Sequence, residues 1–262
     1  MTFFLRKLIM EDIERNAQEE HSNKFNKDFI FYILSTLGLL IYVGTNLYIS
    51  YIADYKLFVW HPILMAIMIL ISTQGTIVLQ KAVKKQEKAR SLLFHKLMQI
   101  ISLICLIIGF VVIYYNKSIK GSTHYKTYHA KIGLIAFIVY IIQLITGLAL
   151  TFFPSLLGGI SKSKKYYKHH RLIGYINLIL IWLSAITSTR ANWITKHFNQ
   201  HWIWTFSIGL IIIGVIGRIN FNKIKICNIK CNFSSFVNFT QYIPIYSQKN
   251  QTNQTNSDIL LD

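Results

Sequence analysis

Apolar residues gather in six long blocks, roughly 29–52, 59–80, 92–115, 128–153, 171–189 and 202–218, with polar segments between them. A helix needs about 20 mostly apolar residues to cross the hydrocarbon core of a bilayer, and each block is near that length. None carries a proline in its middle; the three prolines stand at 62, 154 and 244. Hydrocarbon leaves only helices and closed barrels able to satisfy the backbone. The pattern predicts an all-α membrane protein with six transmembrane helices, spanning residues 29–218.

The two ends read differently. Residues 1–28 form a polar to amphipathic segment whose opening, MTFFLRKLIMEDIERN, meets charge within six residues. That interruption argues against a cleavable signal and suits a short interfacial helix. Residues 219–262 are rich in Asn, Lys, Gln and Ser and end in QKNQTNQTNSDILLD, the composition of a segment that is disordered alone.

The formal charge of +18 changes the picture only through its distribution. Arg6, Lys7, Arg15, Lys24 and Lys27 precede the first block; Lys81, Lys84, Lys85, Lys88 and Arg90 separate the second from the third. Lys162, Lys164, Lys165 and Lys168 separate the fourth from the fifth, and further basic residues follow the sixth. The alternate loops hold far fewer. This positive-inside asymmetry places both termini and the second and fourth loops on the cytoplasmic side, or the matrix equivalent. The charge is explained as orientation, so no nucleic-acid partner is expected. Cys105 lies mid-span, and Cys227 and Cys231 match no standard zinc spacing.

Four of the nine histidines stand near the starts of successive blocks: His61 in WHPILMAI, His95 in FHKLMQII, His129 in YHAKIGLI and His170 in HHRLIGYI. Their intervals are 34, 34 and 41 residues. Because consecutive spans run antiparallel, His61 and His129 fall near the outer face, and His95 and His170 near the inner one. Ionisable residues inside spans are usually functional. Two facing neutral imidazoles in a dry bundle are what a six-coordinate b-type haem requires. The expectation is therefore a central four-helix bundle holding two b haems, both iron atoms axially ligated by histidine. His169 is the substitute for His170 if the register is off by one.

Gly133 and Gly174 lie four residues beyond His129 and His170, on the same helix face, where a flat porphyrin needs room. Gly75 and Gly109 lie fourteen residues beyond His61 and His95, about 21 Å along a helix. They either make room for the opposite haem or serve ordinary small-residue helix packing.

The HPILM motif, the H-x-x-x-G helices, HKLMQ and KSIKGSTHYKTYHAKIG resemble the cytochrome b-561 family, in its single-domain, six-helix, di-haem form. The resemblance covers roughly residues 30 to 218. It implies electron transfer from cytoplasmic ascorbate, through both haems, to ferric iron or monodehydroascorbate across the membrane. It also implies a basic vestibule for the donor, with Lys81, Lys85 and Arg90 as candidates beside the alternative that they only enforce topology. Two departures stand out: Gln99, as in some single-domain relatives, where well-characterised members often carry a second histidine, and Asn116 and Lys117 where some have histidine. His197 and His201 are read as interfacial residues, with an iron or copper touch-point as the alternative; His21 and His124 receive no assignment.

Between Glu87 and Asp258 there is no Asp or Glu. Paired-carboxylate hydrolysis and a Ser-His-Asp triad therefore have no parts in the bundle. No phosphate-cradling glycine loop occurs. The alternative reading is a structural or accessory subunit of a larger membrane complex, a respiratory one among the candidates, that retains haem. Expected partners are the lipid bilayer, the donor and acceptor, and either a second copy of this chain or such a complex.

Overall fold

Apolar runs without internal proline or turn residues propagate as helices. The computed structural model describes residues 2–53, 56–81 and 85–219, and among them no strand occurs. The helices are α1 (Thr2–Ile52), α2 (Trp60–Lys81), α3 (Lys85–Ile119), α4 (Tyr128–Phe152), α5 (Ile160–Ser188), α6 (Asn192–His197) and α7 (His201–Arg218). All but α6 contain a segment long and apolar enough to cross a membrane. The protein is a multi-pass, six-span, all-α membrane protein.

Local chemistry sets several helix ends. Pro62 sits in the first turn of α2, where a missing N–H costs nothing. Thr127 caps α4, its hydroxyl accepting the Ala130 N–H at 3.2 Å. Pro154 closes α4 into a 3₁₀ turn, and Gly158, left-handed at φ 80°, ends that turn.

Three helices overrun their apolar blocks. α1 continues without a break at residue 28, α3 begins at Lys85, and α5 begins at Ile160. Hydropathy marks only the hydrocarbon-crossing part, whereas Lys, Arg, Gln and Glu are good helix formers. The basic run KSKKYYKHHR is thus helix, not loop, and His169 is an exposed residue of α5. The expected disordered tail lies outside the described residues from 220 onward, as do the side chains of the N-terminal segment through residue 25.

α2 packs mainly on α3, α4 on α5, and α1 on α7. The most deeply buried side chains include Leu39, Ile77, Trp204, Ile211 and Val215, from α1, α2 and α7. α1 and α7 approach closely: a Cβ on Gly38 would stand 2.6 Å from the Ser207 carbonyl oxygen. Arg218 joins three helices, donating to the Asp28 carbonyl at 2.9 Å and the Ile77 carbonyl at 3.2 Å, with its guanidinium over the Tyr32 ring. On α4, Ile135, Ile138, Ile142 and Ile145 form an exposed stripe at helical spacing, the signature of a lipid-facing surface. The α2–α3 and α4–α5 pairs touch only sparingly, and two cavities lie where they face each other.

Candidate functional site

Each cavity takes one histidine from each helix pair. His95 of α3 and His170 of α5 line a cavity of about 590 Å³. His61 of α2 and His129 of α4 line one of about 300 Å³, with ring centroids 6.2 Å apart. The structure thus brings together the two histidines that the antiparallel register groups on each face.

Three of the four imidazoles are held at Nδ1 by a backbone carbonyl. His61 Nδ1 lies 2.9 Å from Gly109 O, and His95 Nδ1 lies 3.0 Å from Gly75 O. His129 Nδ1 lies 2.9 Å from Ser184 O and 3.2 Å from Ser184 Oγ. A carbonyl can only accept, so these bonds fix the proton on Nδ1 and leave the Nε2 lone pair for a ligand. His170 differs: its Nδ1 is 3.4 Å from Thr146 Oγ1, and its backbone carbonyl accepts from the Gln143 amide.

These partners, three acceptors and the donor Gln143, follow one rule. Gly75, Gly109, Gln143 and Ser184 each lie fourteen residues beyond the histidine of their own helix. In each antiparallel pair, that residue meets the histidine of the neighbouring helix. Gly75 and Gly109 therefore sit in the α2–α3 seam, where a Cβ on Gly75 would stand 2.7 Å from Met98 Cβ. Of the two readings of these glycines, close helix packing is the one observed. Gly133 and Gly174 do line the cavities beside their histidines, as does Gly147 near the His170 ring.

The linings differ in character. Around His61 and His129 stand Phe58, Met65, Phe110, Phe137 and Trp193, with Lys117 the one Lys or Arg in the lining. Around His95 and His170 stand Gln80, Gln99, Gln143, Asn177, Tyr140 and Tyr175, with Lys88, Lys96 and Arg171 and no acid. Arg90 is exposed and does not line the cavity, and the side chains of Lys81 and Lys85 lie outside the described residues.

Lys88, Lys96 and Arg171 were not picked out from the sequence as lining residues, because a hydropathy boundary places them in or beside loops rather than on helices that wall the cavity. His124 also escaped assignment; it lines the His61–His129 cavity and stacks on Tyr114 with centroids 4.5 Å apart. His197 ends α6 and His201 begins α7, so the H-x-x-x-H spacing does not put them on one helical face.

Residues 60–196, from the start of α2 through most of α6, match the family described as eukaryotic cytochrome b561. All four cavity histidines fall inside that match. This chain belongs to the cytochrome b561 family. As a cytochrome b561 it is a transmembrane electron-transfer protein of a haem b-binding family. It is 27% identical to the transmembrane reductase CYB561D2 of Bos taurus over 148 residues, covering 52% of this chain and 65% of that relative. The relatives of the same name from Mus musculus and Homo sapiens are 26% and 27% identical, each covering 59% of this chain and 76% of its own length.

Proposed function

We propose that this cytochrome b561 passes electrons across the membrane through two b haems, one in each cavity. His61 and His129 would ligate one iron, and His95 and His170 the other. The observation that carries the reading is the His61–His129 centroid distance of 6.2 Å together with Nδ1 bonds that leave both Nε2 atoms free to ligate. Two imidazoles facing each other across a cavity, each with Nε2 free, could together hold a single metal.

The donor set favours haem over a protein-only metal site. Among the described residues no three His, Cys, Asp or Glu side chains converge as such a site would need. Each cavity has one facing pair of histidines, with His124 a third imidazole in the lining of the His61–His129 cavity, and such a pair would hold a haem. Held by two histidines, a haem would supply one-electron transfer there.

The rest is done by this chain. Gly109, Gly75 and Ser184 hold the imidazoles in the ligating tautomer, and the apolar seams exclude water. Positive-inside orientation puts the His95–His170 cavity on the cytoplasmic side. Its mouth, with Lys88, Lys96 and Arg171 and no carboxylate, favours an anionic donor, for which cytoplasmic ascorbate is the reading. Lys81, Lys85 and Arg90 are further candidates for the donor by sequence position alone. Ferric iron or monodehydroascorbate would receive the electron at the opposite face, where Lys117 and His124 line the cavity.

Pyridine haemochrome analysis of the purified chain tests the cofactor. Two haem b per polypeptide are expected, and protein purified intact without haem would end the proposal.

A further inference from the structure

Gln99 lies one helical turn beyond His95 on α3, on the same face. Its amide nitrogen donates to the Ser72 carbonyl at 3.0 Å and approaches Thr76 Oγ1 at 3.4 Å. Its Oε1 accepts the Tyr140 hydroxyl at 2.6 Å, and its backbone carbonyl stands 3.3 Å from the same hydroxyl. Tyr140 belongs to α4 and is only 4% exposed, so this bond crosses from one helix pair to the other inside the bundle. Both residues line the His95–His170 cavity and neither lines the other one, where Leu106 of α3 and Phe137 of α4 stand instead.

In a low-dielectric interior a hydrogen bond's two ends cancel each other, and removing one leaves the other uncompensated. Haem potentials respond to hydrogen bonding and polarity around the site. We propose that Gln99 and Tyr140 are a positioning pair that sets the reduction potential of the haem between His95 and His170. The pair holds the positive hydroxyl hydrogen and the negative amide oxygen against each other, so that neither end alone biases the iron. A haem held by His95 and His170 would supply one-electron transfer, taking the electron from the donor and giving it up to the second site. This inference rests on the haem reading above.

The test is a spectroelectrochemical titration of the full-length, haem-loaded protein and its variants. Tyr140→Phe deletes the hydroxyl and frees the negative Oε1, which stabilises ferric iron, so that haem's potential should fall. Gln99→Leu removes the closer acceptor and leaves the hydroxyl hydrogen only the residue-99 backbone carbonyl at 3.3 Å, so the same potential should rise, by less than the Tyr140→Phe fall. In the double variant the two shifts should largely cancel, as residues acting through one bond require. The other haem should keep its potential throughout, and a His61→Ala background, retaining only the His95–His170 haem, identifies which one moved. A purely structural role would loosen the pocket and move both single variants the same way.

Same-direction shifts, no shift, a shift of the other haem, or loss of this haem from both single variants would overturn the proposal. If Gln99→Leu does not accumulate, the sign of the Tyr140→Phe shift decides alone. Protein that purifies without any haem sinks the haem reading itself, which separates the two failures.

Discussion

His95 of α3 donates its Nδ1 proton to the carbonyl of Gly75 on α2, 3.0 Å away, while His61 of α2 does the same to Gly109 of α3 at 2.9 Å. The exchange is reciprocal, so the two helices of this pair orient each other's imidazoles at opposite ends of the bundle. A change in the seam between them should therefore be read at a haem.

The two glycines should differ in tolerance. A Cβ on Gly75 would meet Met98 Cβ at 2.7 Å, a near-backbone atom that cannot swing away. A Cβ on Gly109 would meet the flexible end of Met65. Gly75→Ala should cost about 1–3 kcal/mol of stability and disturb the haem at His95, with Gly109→Ala milder. Thermal melts and low-spin electron paramagnetic resonance of both variants check the order.

Ser184→Ala should retain both haems. The main acceptor for His129 Nδ1 is the Ser184 carbonyl at 2.9 Å, and the hydroxyl at 3.2 Å only supplements it. Losing the supplement should cost about 1 kcal/mol or less. Haem stoichiometry measured after purification is the check.

Charge reversal at the mouth should act on rate. Lys88→Glu should slow reduction by an anionic donor on the order of tenfold at low salt and flatten its dependence on ionic strength. A neutral reductant should be unaffected. Stopped-flow reduction over a salt series distinguishes the two donors.

Arg218→Ala should weaken the fold and leave the chemistry alone. It removes donations to two backbone carbonyls, at Asp28 and Ile77, worth about 1.5–3 kcal/mol each for a charged donor. The melting temperature in detergent should drop while both haem spectra persist.

The spans and the four histidines were legible because hydropathy has the length scale of a bilayer, and because alternation of helix direction sorts His61 and His129 from His95 and His170. Helix ends were not, since Lys85 and Ile160 begin helices that leave the hydrocarbon before they stop. The residues that partner the histidines were half legible. The spacing of Gly75 and Gly109 stood out, but their role needs the neighbouring helix, and Gln143 and Ser184 occupy the equivalent positions without being glycine. The Gln99–Tyr140 bond joins residues 41 apart in the chain, and no local pattern announces it.

The central claim is tested most directly by reduced-minus-oxidised spectra of His61→Ala and His95→Ala, recorded beside the wild type. Each variant should lose one haem signal and keep the other, and the lost components should be complementary. Two haems retained in either variant, or the same component lost from both, would contradict the assignment.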